Sequence, residues 1–483
     1  MKQEPLFDLI FSLTMSEKRF FKIFSQRHVI GDENDYSKLF DFIDKEPNVN
    51  NAILIKQDFV KNVSAEKNYL YRLILKSLNA FHSQNSDRRK IYDYLISIDI
   101  LFQKGLYSQA VDLVLKARKL ANKNELLRQE LLLSELHEEL LLKDQKYGDV
   151  VNLINEDKHL LDLVENLLSL KELTTKGYHE NLSKGVIRDE KDLEPFDNLI
   201  NNKLVRDEKN ALTKRARLHQ ISVQLTYNMV AGNNDMVLKY VQLIITHYET
   251  NQHLINHTPI GYVSCYFILG NAQLADKKYD LVFNTTKSYS KIEQIDSVRK
   301  SQKALSSAFF YKNILLFQLG KVDDLELIEN EIPKHIPFIG KAQLYDLYFQ
   351  LSLSFFYQKK FKKALWWSNE ILNDSKFKSR GDFMNTIKLF NLLIHFELGN
   401  DFTLEYISKS TSNYLKKKNR LYDVEKLLIR FLTKHESYLV NRSVVIELEK
   451  LAHKLKILKS DKYEVKAFQY FDYLNWVETK LKE

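Results

Sequence analysis

The stretch Gly105-Leu106-Tyr107-Ser108-Gln109-Ala110 decides the fold. A break ends one helix, an aromatic ring follows, and a small apolar residue stands three positions after the ring. The same order returns at Lys146-Tyr147-Gly148-Asp149-Val150, Lys277-Lys278-Tyr279-Asp280-Leu281-Val282 and Lys359-Lys360-Phe361-Lys362-Lys363-Ala364. Weaker copies lie at Phe196 and Leu199 after Pro195, at Met236 after Gly232-Asn233-Asn234, at Val322 after Gly320 and at Phe402 after Gly399-Asn400. Successive marks are about 42 residues apart, inside the range that two-helix repeats occupy. In such α-solenoids no helix pair buries its own apolar face, and stacking on neighbours does so instead. On this reading the break makes a tight turn, the small residue lets the paired helix approach, and the ring fills the wedge between repeats.

Composition agrees with an all-α chain. Only 12 Gly and 6 Pro occur in 483 residues, well below the typical usage of about 7% and 5%. Hairpins depend on Gly, Pro and Asn-Gly punctuation, whereas long helices joined by short polar links do not. Hydrophobic residues at 44% and charged residues at 28% describe a folded chain that can bury a large core. The 29 Phe and 26 Tyr suit thick helix interfaces. The one cysteine, Cys265, rules out an internal disulfide framework or a cysteine zinc site, and its apolar surroundings predict packing rather than reactivity. Glu4 and Asp8 disagree with a signal peptide, and the longest apolar stretch, Gly261 to Gly270, is half of the ~20 residues a membrane span needs. A cytoplasmic protein without a membrane partner is expected.

Residues 1–85 read as a helical cap or small domain. Thr14-Met15-Ser16-Glu17 is a capping box that starts a helix near residue 15. A second segment, Tyr36 to Ile43, follows Gly31-Asp32-Glu33-Asn34 and stops at Glu46-Pro47, and Ser64-Ala65-Glu66-Lys67 opens a third helix, Tyr69 to Phe81. Helical repeats are expected over 86–435, and capping helices over 436–483.

At its Tyr-x-x-Ala and Phe-x-x-Ala marks the chain resembles the tetratricopeptide family. It departs from that family in its longer period and in lacking a proline after the second helix. Over most of its length it also resembles a group of tetratricopeptide-like proteins from Bacteroidetes. This rests on Ser12-Leu13-Thr14-Met15-Ser16-Glu17-Lys18-Arg19, on the stretch from Ala364 through Asn373-Asp374, on Asn391-Leu392-Leu393-Ile394-His395-Phe396-Glu397-Leu398-Gly399-Asn400 and on Lys416-Lys417-Lys418-Asn419-Arg420-Leu421-Tyr422. The resemblance implies a tetratricopeptide-like fold and no activity.

No phosphate-binding or dinucleotide-binding glycine motif is present. His247, His253 and His257 straddle a connection rather than one helical face, so neither a metal nor another cofactor is expected. Polar stripes carry more information. Asn385, Lys388, Asn391 and His395 recur at steps of three, three and four, and Asp346, Gln350 and Ser354 at steps of four, within apolar first helices. In a tetratricopeptide-like stack the first helices line the concave surface, so these stripes predict a groove for a protein or peptide partner. Tyr414 and Arg420, beside the basic run Lys416-Lys417-Lys418-Asn419-Arg420, join the candidate contacts. The sequence thus predicts a non-enzymatic interaction scaffold. Two alternatives stay open: a ligand-sensing regulator whose residues 1–85 bind nucleic acid, suggested by the net charge of +9, and an enzyme whose site forms only in three dimensions.

Overall fold

A computed structural model describes residues 4–26, 35–46, 49–83, 86–322, 324–374, 381–433 and 441–482, and all regular structure among them is helical. The expected break at Gly31-Asp32-Glu33-Asn34 and the stop at Pro47 lie outside these residues. Contacts divide the chain into two compact units, Met1–Leu160 and Leu161–Glu483.

In the first unit, helices Pro5–Ser12, Met15–Gln26, Asp35–Lys45 and Val63–His82 share a core that includes Ile10, Phe21, Phe40 and Ile74. The Thr14 amide donates to Glu17 Oε2 at 2.7 Å and the Glu17 amide to Thr14 Oγ1 at 3.3 Å, the reciprocal pair of a capping box. The third helix starts earlier than expected. Asn62, not Ser64, is its cap, accepting from the Ala65 amide at 3.1 Å. Helices Asp87–Gln103, Tyr107–Lys123 and Leu127–Lys143 pack in succession around Ile91, Ile98, Val114 and Leu133.

In the second unit, Lys214–Ala231 packs on Asn234–Thr250, Pro259–Ala275 on Tyr279–Ile292, Lys341–Tyr357 on Phe361–Leu372, and Gly381–Glu397 on Asp401–Lys417. First helices also pack on one another, Pro259–Ala275 on Gln302–Gln318 and the latter on Lys341–Tyr357. Gly270 makes one of these approaches possible, because a Cβ there would lie 2.6 Å from Leu315 Cδ1.

One turn links most of these helices. At Gly105, Glu125, Gln145, Gly232, Lys277, Gly320, Lys359, Gly399 and Asn419 the backbone is left-handed, with φ between +49° and +78°. At each, the amide of the left-handed residue donates three residues back and the next amide donates five residues back; Gly105 reaches Phe102 O at 3.0 Å and Leu106 reaches Leu101 O at 2.9 Å. This pair of bonds satisfies carbonyls that a helix end leaves without partners. After five of these turns the next residue, Leu106, Leu126, Lys278, Lys360 or Asn400, holds φ near −88° and ψ near 60°, and a new helix begins immediately. The marks at 107, 147, 279 and 361 are therefore helix starts. Val322 is not, because the helix there begins at Leu325 with Asp324 as its cap.

The small residue of each clear mark is buried, with Ala110, Val282 and Ala364 at 0% exposure. The ring, however, does not fill a wedge. Tyr147 and Tyr279 are 63% and 54% exposed, because the first residue of a helix projects beside the turn. Where such a ring packs at all, it leans back across the turn, Tyr107 onto Phe102 at 5.5 Å and Phe361 onto Phe356 at 5.3 Å.

Five of the nine left-handed positions are not glycine, which explains how tight turns coexist with so few glycines. It also makes a prediction. Left-handed backbone strains an L-residue by about 1–2 kcal/mol, offset in part by the extra entropy glycine loses on folding. Lys277→Gly should therefore raise the urea midpoint of the second unit, a gain of several tenths to about 1 kcal/mol. Tryptophan fluorescence reads this unit alone, since Trp366, Trp367 and Trp476 all lie within it.

Candidate functional site

Helix Gly381–Glu397 carries the predicted stripe, yet it has no broad solvent face. Ile387, Phe390, Leu392, Leu393 and Ile394 are all at 0% exposure, and Asn385, Asn391 and His395 are buried as well, so the helix is covered on all sides in spite of its polar stripe. Its polar residues are consequently satisfied inside the protein. Asn391, 2% exposed, donates to Ser368 Oγ at 3.2 Å and Asn369 Oδ1 at 3.3 Å on helix Phe361–Leu372. The Lys388 ammonium lies 4.9 Å from the ring of Tyr414 on helix Asp401–Lys417. His395 meets Asn400 Nδ2 at 3.1 Å across the next turn. Asn391 thus faces helix Phe361–Leu372, Lys388 and Tyr414 face each other, and His395 faces the turn before helix Asp401–Lys417, so none of the four opens onto a groove. Asp346 and Gln350 are half-buried on helix Lys341–Tyr357.

Burial holds the His395 imidazole below its ordinary value of 6.5. The unfolded chain then binds the proton more readily, so stability from this group is lost as pH falls through 6.5 toward the lower native value. His219, held down to about 4, and His335 act in the same sense. His395→Gln should accordingly make the fall in urea midpoint between pH 7.5 and 5.5 shallower, and an unchanged slope would remove His395 from the account.

Asn385 and Arg420 belong to a different assembly, built around residues 184–192. The long helix Tyr147–Lys184 ends at Gly185, whose φ of +67° turns the chain, and a Cβ there would stand 1.9 Å from Asp382 Oδ1. Arg188 follows. Its guanidinium pairs with Glu425 Oε1, reaches Glu464 Oε2 at 2.5 Å, and stacks 4.1 Å from the ring of Tyr422. Glu464 also accepts from the Asp423 and Val424 amides at 3.2 and 3.1 Å, so it caps helix Asp423–Thr433, where a carboxylate offsets the positive end of the dipole. Lys466 Nζ donates to the Ile187 carbonyl at 2.7 Å, Arg420 Nη1 to Asp192 Oδ2 at 3.0 Å, and Tyr470 OH to Asp382 Oδ2 at 2.8 Å.

Arg188, Asp382, Asn385, Arg420, Glu425 and Tyr470 enclose a cavity of about 30 Å³. That is room for a water molecule or two rather than for a metabolite. Asn385 Oδ1, Glu425 Oε2 and Arg188 Nε are buried there without a protein partner among the described residues, and water would satisfy them. Burial raises the Glu425 carboxyl above 4.5 even though Arg188 pulls it down. The arrangement suits fastening. It ties residues 184–192 to residues 382–470 across separations as long as 279 positions, where a simple stack of repeats touches only its neighbours.

The C-terminal segment uses the same region. Phe471 packs on Phe390, Phe356, Tyr357 and Tyr473 with ring centroids 5.1 to 6.0 Å apart, and Trp476 Nε1 donates to Glu397 Oε1 at 2.7 Å. Faces of the first helices Lys341–Tyr357 and Gly381–Glu397 are therefore covered by the chain itself.

His247 Nε2 lies 2.8 Å from the Lys214 carbonyl oxygen, at the end of one helix, while His253 and His257 sit on the next, Gln252–His257. No cluster of three His, Cys, Asp or Glu side chains able to hold a metal ion occurs among the described residues. Cys265 is buried and its thiol is pushed up to about 12. No described helix is long and apolar enough to cross a membrane. In residues 1–85, Lys18 and Lys22 pair with Asp44 and Asp41, and Lys67 with Glu4.

Neither a known protein family, nor a curated protein, nor a solved structure matches the chain. The Arg188 assembly carried no sequence signal, since a lone arginine in a loop does not announce partners 237 and 276 residues away.

Proposed function

We propose that the chain is a tetratricopeptide-like solenoid of antiparallel helix pairs, and that it serves inside the cell as a scaffold for another protein, with no chemistry of its own. The observation that supports this reading is the pair Phe402 and Tyr406. They stand one turn apart on a second helix and are 90% and 76% exposed. Large rings left in water serve no purpose in a monomer's core, and aromatic residues are enriched where proteins meet. The first-helix faces nearest to them are covered by the C-terminal segment, which directs the reading to the outer side of the second helices.

Capture from the native cell tests it, using the intact chain and the Phe402→Ser/Tyr406→Ser variant. Both residues are exposed, so the fold should be kept, as checked by an unchanged melting temperature. A discrete partner recovered by the unaltered chain and lost from the variant is the expected result. An identical set recovered by both would contradict use of this face.

A further inference from the structure

Helix Tyr147–Lys184 runs unbroken for 38 residues, about 57 Å at 1.5 Å per residue. One of its sides lies in the core through Leu153, Leu160, Leu167, Leu170 and Thr174. The opposite side carries a second stripe. Tyr147, Ile154, Leu161, Leu168, Thr175 and Leu182 recur at intervals of seven, and all but Thr175 are large apolar side chains, 39% to 63% exposed. A strict seven-residue period is the pattern of a seam that packs along another helix in a coiled coil. A solvated face has no reason to keep leucine and isoleucine in register over so long a run.

We propose that this seam pairs with the same seam of a second copy of the chain, the two helices running antiparallel about a two-fold axis midway between Leu161 and Leu168. The stripe itself selects that occupant. An interface between identical copies about a two-fold axis must be complementary to itself. About this axis Leu161 meets Leu168 of the second copy, Ile154 meets Thr175, and Tyr147 meets Leu182. In an antiparallel pair each flank of one seam lies beside the same flank of the other. On one flank Lys158 falls opposite Glu172 and Glu165 opposite itself; on the other, Asp157 falls opposite Lys171 and Val164 opposite itself. Each pair of opposite charges occurs twice by symmetry, so two Lys158–Glu172 pairs and two Asp157–Lys171 pairs border the seam, against one meeting of like charges at the axis. Charges in these flanking positions decide partner and direction in coiled coils. Within one copy, no carboxylate pairs with Lys158 or Lys171 among the described residues. Glu172 is paired with Lys176 one turn on, but both side chains are more than half exposed, so exchanging that partner costs little. A helix from an unrelated protein would leave the match between the two halves of the stripe without a cause.

Sedimentation equilibrium of the intact chain tests this, and a dimer at micromolar concentration is the expected result. Leu161→Glu/Leu168→Glu sets four new carboxylates around the axis and should weaken the dimer about a hundredfold. Both leucines are exposed, so an unchanged circular dichroism spectrum excludes misfolding as the cause. Lys158→Glu should weaken it about fivefold, and Lys158→Glu/Glu172→Lys should restore it, because the swap rebuilds both pairs. A short bismaleimide reads the direction. It should join two copies of Glu165→Cys, whose altered residue lies at the axis, and leave Tyr147→Cys unjoined, because antiparallel helices hold the two copies of residue 147 about 50 Å apart. The native Cys265 is buried and does not compete. Four results would overturn the proposal: a monomer throughout the micromolar range, a dimer that survives Leu161→Glu/Leu168→Glu, a charge swap that restores nothing, or cross-linking through Tyr147→Cys, the mark of a parallel pair. A monomer would leave the scaffold reading standing, since that reading is tested at Phe402 and Tyr406.

Discussion

Arg188→Ala is expected to lower the stability of the second unit by about 3–5 kcal/mol, the usual cost of removing one member of a buried ion cluster. The side chains of Arg188, Glu425 and Glu464 are 8%, 6% and 13% exposed. Removing the cation leaves two carboxylates in a poorly hydrated pocket, and Glu425 keeps little access to water. Tryptophan-monitored urea unfolding measures the loss. The pH dependence gives a second signature. The Glu425 carboxyl is already raised above 4.5 in the native protein, so the folded state binds its proton more readily than the unfolded chain, and stability from this group falls as pH rises from 4.5 through the native value. Without Arg188 that value rises further, so the deficit should be largest near neutral pH and shrink in acid. Arg188→Ala/Glu425→Gln should recover part of the loss, because the amide carries no charge to desolvate. A deficit below about 1 kcal/mol would mean that water reaches the cluster and that Arg188 behaves as a surface residue.

Phe471→Ala should cost a similar amount, about 3–5 kcal/mol. Phe471 is 2% exposed and its ring meets Phe356, Tyr357, Phe390 and Tyr473. Deleting it removes both the apolar transfer energy and the ring contacts, and the surrounding helices are too constrained to collapse into the gap. Because the ring also holds the C-terminal segment against helices Lys341–Tyr357 and Gly381–Glu397, the variant should bind more of a dye that reports exposed apolar surface. Loss of stability without added dye binding would show that the segment stays seated by other contacts, such as Trp476 on Glu397.

Much of the fold was legible because it is written locally. A capping box, a left-handed turn and a buried small residue each involve neighbours within a few positions, so Thr14 to Glu17 and the starts at 107, 147, 279 and 361 could be read from spacing. The turns at Glu125 and Asn419 escaped that reading, as neither has the aromatic-then-small signature, although their backbone is the same. The polar stripe at Asn385 to His395 was seen as a pattern, but its meaning depends on what surrounds the helix. A stripe on a half-exposed helix faces water, while on a helix buried all round it must find protein partners, and Asn391 finds Ser368 and Asn369. Arg188 lay beyond reach because its partners are set by tertiary folding alone. The lysines at 359–363 were visible only as part of a turn, since Leu398, beside them in space, belongs to a later turn of the chain.

Native-state hydrogen exchange on the intact chain and on Arg188→Ala tests most directly the claim that residues 184–192 fasten the last helices of the second unit into one body. Amides of 184–192, 423–433 and 464–477 are expected to lose protection together in the variant, by the same free energy, while helix Gln302–Gln318 changes little. Loss of protection confined to 184–192 would contradict it, for the loop would then be resting on the last helices without holding them.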